Sequence, residues 1–471
     1  MKKKFFLLIL PFFLCSAVLF LLFQAELKEY LRNFLPFHTK AYVSRLIADR
    51  DRAYILKDDA FIAMDAFWNH TKKPLMKKID STKYFSADEI KLELFETNFL
   101  TKRKNNKVTG GAYLALHDNN LLIAQENGLF FNLPISDLES HQNEIVLQNI
   151  PSNIFSLVRN FDFYGPGQYG LKGLYADNRY LFASFSYMEE PDCFNTSLLR
   201  ADINTRFLNF EIFFVPNQCV KIINTYGEFN AADSGGRISN FKDNKILFST
   251  GSFRFRDLAQ DPVSHLGKIL SIDKETGSVQ NISMGHRNVM GLSFLSSTNE
   301  IWSTEHGPNG GDEINLNALA DSSNIPMNYG WPISSYGEHY SATQISPEGA
   351  TIVDADDRTY IKAPLYKSHK KYGFEEPVKY FTPSIGISAI THINKKFYSD
   401  RVYNLIFGSM GKNVNAEDEK SIFLFNGTSK SQKKIFSGER VRDILFLDSQ
   451  SMIVFTGETN GVIGIITKRD F

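Results

Sequence analysis

A chain of 471 residues that carries 52 basic and 52 acidic side chains has no net charge, which argues against nucleic acid and other polyanions as partners. That length accommodates one large all-β domain or two smaller ones. Its 41 phenylalanines suit strands packed in layered sheets and do not identify a function.

Lys2, Lys3 and Lys4 precede a run from Phe5 to Phe23 that is apolar and uncharged. At ~1.5 Å rise per residue, such a run nearly spans a bilayer core. The lysines should stay cytoplasmic and send the rest of the chain outside. A cleaved signal peptide is the competing reading. Gln24-Ala25-Glu26 makes a poor cleavage site, and Cys15 lacks the small residue that precedes a lipoprotein cysteine. The expectation is an uncleaved membrane anchor over residues 1–24, with the remainder on the periplasmic or extracytoplasmic side.

Residues 25–104 read as a partly helical stalk or cap. Leu27, Leu31, Phe34 and Leu35 recur at helical spacing, and Ala41 to Ile55 and Ala87 to Glu96 are further candidate helices. No chemical constellation appears there. Thr101 to Lys107 is a basic, polar linker.

The pattern then changes, and residues 105–471 read as one β domain. Tyr113 to Leu116, Leu121 to Gln125 and Leu129 to Asn132 are short apolar runs separated by Asp/Asn and Asn-Gly turns. The layout recurs over Leu171 to Tyr187, Arg237 to Thr250, Leu292 to Thr304, Ser388 to Gly408 and Asp443 to Thr456. Roughly six recurrences of strand, polar turn, strand suit radially repeated four-stranded sheets. A two-sheet sandwich is the alternative, though the chain is long for one. Tyr336 to Pro383 is a long insertion with little periodicity, of the kind that is often functional. Cys193 and Cys219 stand at the outer ends of two apolar runs, Ser197 to Ile203 and Phe207 to Val215. If those runs pair as a hairpin, the cysteines meet at its open end. A bridge there would contribute about 3 kcal/mol in an oxidising compartment; two separate thiols are the other reading.

The densest chemistry lies between Gly285 and Pro332. It opens with Gly285-His286-Arg287-Asn288-Val289-Met290-Gly291-Leu292. It continues through Thr304-Glu305-His306-Gly307-Pro308, Gly310-Gly311-Asp312-Glu313 and Asn315-Leu316, and closes on Asn328-Tyr329-Gly330-Trp331-Pro332. A glycine-rich loop with converging carbonyls and carboxylates suits a hard cation such as calcium. A polar surface turn is the bland alternative. His286 and His306 show no zinc spacing and suit backbone hydrogen bonding instead.

Those motifs, in that order and at similar spacing, resemble the soluble PQQ-dependent sugar dehydrogenases, the aldose or glucose/sorbosone dehydrogenases. A weaker resemblance runs from about Val108 to about Ile466. It implies a six-bladed β-propeller with pyrroloquinoline quinone bound across its mouth. Arg287 and Asn288 match the quinone-contacting pair, and Arg440 and Arg442 match an Arg-x-Arg-Asp motif whose arginines face quinone carboxylates. Arginine suits that task because its fork pairs with a planar carboxylate. Alternate exposed positions on an edge strand would also explain Arg440 and Arg442. Gly307 and Pro308 match positions whose carbonyls hold a quinone-bridging calcium. Asp312 and Glu313 match the acidic pair of that loop, where Glu313 resembles a structural calcium ligand or else caps free amides.

Several positions depart from the family pattern. Asp233, in Asp233-Ser234-Gly235-Gly236-Arg237, stands where the family has a catalytic histidine four residues before its arginine. Val289 and Met290 replace a proline and a glutamine. Gly411 stands where the family has a lysine after a strand ending Ser-Leu, so that the nearest lysine, Lys412, is shifted by one. A carboxylate accepts a proton, but its ordinary pKa lies ~2.5 units below that of imidazole. Two functions follow. One is a membrane-anchored dehydrogenase that oxidises an aldose at the anomeric carbon, with Asp233 and Arg237 at the catalytic position and PQQ and calcium as cofactors. The other is a propeller that has kept the scaffold, lost the oxidation, and binds a saccharide or a protein. The fold does not choose between them.

Overall fold

The computed structural model describes residues 73–81, 90–100, 111–140, 142–158, 169–224, 229–318, 326–339, 344–345, 351–352, 363–393, 397, 403–411 and 420–468. The expected anchor, the candidate helix at 41–55 and Lys412 lie outside them. Among the described residues, no helix is long and apolar enough to cross a membrane.

Six sheets, antiparallel apart from one outer parallel pair between Val279–Met284 and Met327–Asn328, form the blades of a propeller, as the recurring strand pairs imply. The innermost strands are Ala112–His117, Leu171–Ala176, Gly235–Asn240, Val289–Leu295, Ile387–His392 and Val441–Leu447. They open blades 1 to 6 in chain order. Each touches the next, and Val441–Leu447 touches Ala112–His117, which closes the ring.

Strand alternation explains why the ring is stable. Leu121 and Ile123 of one strand point into the core between blades 6 and 1, while Leu122 and Ala124 point into the core between blades 1 and 2. Leu181, Ala183 and Phe185 face blade 1, and Tyr180 and Phe182 face blade 3. Phenylalanines fill these gaps: Phe248 and Phe214 pack edge-on between blades 2 and 3, and Phe407 and Phe423 stack in the core between blades 4 and 5. Tight turns close the inner hairpins. Asp243 and Asn244 both adopt left-handed backbone, with φ 57° and 58°, between Gly235–Asn240 and Lys245–Thr250.

Blade 6 corrects the sequence reading of the N-terminal region. Residues 87–96 were a candidate helix, yet Ile90–Thr97 is a strand that pairs antiparallel with Val462–Lys468. Leu75–Ile79 then pairs with Ile90–Thr97 on one side and Glu144–Val146 on the other. The apolar spacing of Ile90, Leu92 and Leu94 is the period of a strand, and all three are buried against blade 5. The propeller therefore begins well before residue 105, because an N-terminal strand supplies the outer part of the last blade.

In blade 2, Cys193–Asp202 pairs with Glu211–Phe214, so the two apolar runs form the expected hairpin. Cys193 and Cys219 are disulfide-bonded with Cα atoms 5.3 Å apart. The insertion lies between Asp312–Ala318 and Lys379–Phe381, the third and fourth strands of blade 4.

Candidate active site

In five of the six blades the start of the innermost strand sits beside the end of the second strand. Ala112 pairs with Gln125, Gly235 with Thr250, Val289 with Glu305, Ile387 with Ser409 and Val441 with Gly457. Residues just outside these pairs therefore gather at one mouth of the propeller. Asp233, Arg287, Arg440 and the Gly307 loop all belong to this group, although they are far apart in sequence.

Asp233 is buried, and its Oδ2 accepts hydrogen bonds from Arg287 Nη2 at 2.9 Å and Arg254 Nε at 3.0 Å. Its Oδ1 makes no hydrogen bond among the described residues. Asn288 braces the same loop: its Nδ2 donates to Ala232 O at 3.1 Å, and its Oδ1 accepts from Gly235 N at 3.0 Å. Glycine is needed beside it, since a Cβ on Gly236 would lie 2.3 Å from Lys172 Cβ. Arg287 also reaches His306 O at 3.3 Å, with its guanidinium 5.5 Å from the Trp331 ring centre.

Arg237 crosses the propeller axis. Its Nη1 donates to Asp443 Oδ1 at 2.7 Å and its Nη2 to Arg442 O at 2.7 Å, which joins blade 3 to the opposite blade 6. Asp443 Oδ2 takes the Leu114 amide of blade 1 at 2.8 Å. Burial pushes the Asp443 carboxyl up, and Arg237 pulls against it. The ion pair closes the floor of the mouth.

Arg440 is buried and Arg442 is half-buried, so neither stands exposed on an edge strand. Arg440 donates to Met410 O, and its Nε lies 3.5 Å from Glu458 Oε2. Arg442 binds Glu458 through Nε alone. Both Nη atoms of Arg442 are without a hydrogen bond among the described residues. Glu458 holds Arg442 protonated against the cost of burial.

Two further charged residues sit here that the sequence reading passed over. Glu126 follows the second strand of blade 1, and burial pushes its carboxyl up. Lys172, on the innermost strand of blade 2, is drawn down to about 8 by burial. Their signals were present in the sequence. Lys172 interrupts the apolar run Leu171-Lys172-Gly173-Leu174. Glu126 and Glu458 each follow an apolar strand and precede an Asn and a Gly, in Gln125-Glu126-Asn127-Gly128 and Gly457-Glu458-Thr459-Asn460-Gly461.

The Gly307 loop is held by Asp312. Its Oδ2 accepts the amides of Ile385 at 3.1 Å and Ile387 at 3.0 Å, and its Oδ1 accepts Gly307 N at 3.3 Å. The amide of Gly311 bonds Phe381 O at 2.8 Å, and Pro308 packs on Gly337 of the insertion. Glu313 faces His369, with Nε2 to Oε1 at 3.2 Å, and Asn315 Nδ2 at 3.3 Å. Burial opposes the charge on His369, but Glu313 outweighs it and holds the imidazole above its ordinary value. His306 bonds Ile387 O at 2.6 Å, and His286 bridges Ser283 Oγ and Glu305. Both histidines thus satisfy internal polar groups. Among the described residues, no cluster of three or more His, Cys, Asp or Glu is arranged around a metal position.

Comparison with known proteins agrees with this fold. An uncharacterised protein of Synechocystis, slr1608, is 24% identical over 315 residues, 61% of this chain and 66% of that protein. The Escherichia coli aldose sugar dehydrogenase YliI is 25% identical over 252 residues, 50% of this chain and 60% of its own. The chain thus spans somewhat less than two thirds of these relatives. The apo crystal structure of the soluble aldose sugar dehydrogenase of Escherichia coli superposes with a TM-score of 0.57 at 20% identity, over 81% of this chain and all of that one. A glucose dehydrogenase crystal structure gives 0.57 at 18% identity over 79% of this chain and 99% of that one. These structural likenesses establish the fold. The glucose/sorbosone dehydrogenase family model matches residues 114–465, and the chain belongs to that family.

Proposed function

We propose that this protein is a sugar oxidoreductase that takes the anomeric hydrogen of an aldose and releases a lactone. One observation carries the reading: Asp233 stands at the mouth with Oδ2 pinned by two guanidiniums and Oδ1 left to accept a proton. Asn288 and the Gly235-Gly236 turn hold that carboxylate in place. A positioned acceptor of this type contributes about 100-fold or more to turnover.

The residues fit pyrroloquinoline quinone in one definite respect. Among the described residues, both Nη atoms of Arg442 are without a hydrogen bond, a fork suited to a planar carboxylate. Arg442 and Arg287 would hold the cofactor, and PQQ, when bound, supplies the acceptor for the sugar's hydride. Met290, Gly411 and the shifted Lys412 reduce the polar contacts that the family pattern offers. The side chains of the Gly307 loop do not fit calcium. Asp312 is committed to three amides and Glu313 to His369 and Asn315, so no step is assigned to a metal.

The Arg237–Asp443 and Arg442–Glu458 pairs favour a second reading, since they balance much of the mouth's charge without a cofactor. In that case the propeller binds a saccharide or protein without oxidising it. Dye reduction by quinone-reconstituted protein over a panel of aldoses separates the two. The oxidoreductase reading expects turnover that Asp233→Asn lowers by about 100-fold or more. Turnover untouched by Asp233→Asn removes Asp233 from the chemistry. A wild type that binds the quinone and stays silent favours the binding protein.

Location forms part of the same proposal. The lysine-led apolar run at 5–23 supports an anchor, and the Cys193–Cys219 disulfide supports an oxidising, extracytoplasmic compartment.

A further inference from the structure

Two residues beside Asp233 adopt a backbone that side chains other than glycine disfavour. Phe253 has φ 51° and Arg254 φ 69°. Such strain persists only where neighbouring contacts over-determine it, and it gathers at functional positions. Here the contacts are visible. Phe253 is fully buried, its amide donates to Asp233 O at 2.9 Å, and its carbonyl accepts Asn230 N at 3.2 Å. The turn that follows Lys245–Thr250 is thereby tied to the loop that carries Asp233. The left-handed step at Arg254 folds its side chain back over that loop, where Nε meets Asp233 Oδ2 at 3.0 Å.

A carboxylate held at one point turns about its Cβ–Cγ bond. Arg287 alone would be such a point. Arg254 adds a second donor to the same oxygen, from a different segment of the chain, and two fixed donors leave one orientation. The consequence is a division of labour between the two oxygens, with Oδ2 clamped and Oδ1 without a hydrogen bond among the described residues.

We infer that Arg254 is a positioning residue that fixes which oxygen of Asp233 receives the substrate's proton. The inference rests on the reading of Asp233 as proton acceptor. In the step it serves, the anomeric O–H bond breaks and the proton passes to Oδ1. The O–H electron pair forms the lactone C=O, and the quinone, when bound, would supply the acceptor for the hydride lost from the same carbon. Arg254 exchanges no proton and touches no reacting atom.

Glycine accepts φ near 69° without strain, so Arg254→Gly removes the side chain while easing the backbone. The test measures kcat, KM and quinone affinity, the last by absorbance titration, for wild type, Arg254→Gly and Arg254→Lys. The expected result for Arg254→Gly is a kcat lower by about 10- to 100-fold, the cost of a small misplacement at the reacting centre, with KM and quinone affinity little changed. Arg254→Lys keeps the charge without the Nε geometry and should fall between the two. A kcat that is unchanged or higher in Arg254→Gly overturns the inference. So does a parallel loss of quinone affinity, which would make Arg254 a cofactor contact. A silent wild type that binds quinone overturns this inference and the oxidoreductase reading together, whereas an active wild type with an unaffected Arg254→Gly overturns this inference alone.

Discussion

Removing the Asp312 carboxylate should cost the protein more stability than a typical single substitution. Asp312 is almost wholly buried, and its two oxygens accept amides from three places: Gly307 at 3.3 Å, Ile385 at 3.1 Å and Ile387 at 3.0 Å. Asp312→Ala leaves two well-bonded amides and one weaker one without an acceptor. A buried donor stripped of its partner costs about 1–3 kcal/mol. Two such donors at about 2 kcal/mol each put the loss near 4 kcal/mol, with the long bond to Gly307 adding a little. Asp312→Asn keeps one acceptor oxygen but sets an NH2 group against one of the amides, so about half that loss is expected. The assay is urea unfolding of wild type and both variants, with and without calcium. A loss below about 1 kcal/mol in Asp312→Ala would refute the staple, because one buried amide and two half-buried ones cannot lose their acceptor so cheaply. Calcium that stabilises wild type strongly and Asp312→Ala not at all would return Asp312 to the metal and refute its commitment to the loop.

Acid should destabilise the fold through two neutral histidines. Burial draws His339 and His392 down to about 4, whereas imidazole in the unfolded chain titrates near 6.5. Between those values the unfolded state binds more protons, so stability rises with pH and is lost as pH falls from about 6.5 to 4. At pH 4.5 the loss from one such group is about 2.5 kcal/mol relative to pH 7. His392→Asn should narrow the stability gap between those pH values by that amount, and an unchanged gap in urea unfolding refutes the assignment. Cys193 and Cys219 of the native protein should resist alkylation until reduced, and reduction should cost about 3 kcal/mol for a bridge across 26 residues. Free thiols in protein isolated from its own cell would contradict the oxidising location, as would native protein whose N-terminus begins near Ala25 contradict the uncleaved anchor.

The repeating part of the fold was legible in the chain because it is local. Each inner hairpin announces itself by apolar runs and an Asp/Asn turn, and neither depends on distant residues. Asp243-Asn244 adopts the left-handed turn that its composition suggests. The Cys193–Cys219 bridge follows from one hairpin for the same reason. The end of the chain's first hundred residues was misread because the strand that ties Ile90–Thr97 into blade 6 is distant, while its local partner, Leu75–Ile79, only extends the sheet outward. The distant strand, Val462–Lys468, lies at the other end of the sequence, and a short run with alternating apolar residues reads as helix or strand until that partner is known.

The site divides along the same line. Sequence alone determined which residue types stand at the mouth, since Arg287, Asn288, Arg440, Arg442 and the Asp233-to-Arg237 stretch are motif positions. It did not determine their partners. Arg237 meets Asp443 across the axis, Glu458 joins Arg440 and Arg442, and Arg254 closes on Asp233. Asp312, which its motif offers as a metal ligand, spends its oxygens on amides that come from residues 385 and 387. Hydrogen bonds and ion pairs act over about 3 Å, whereas these partners are separated by tens to hundreds of residues of chain. Only the closure of six blades around one axis brings them within that reach.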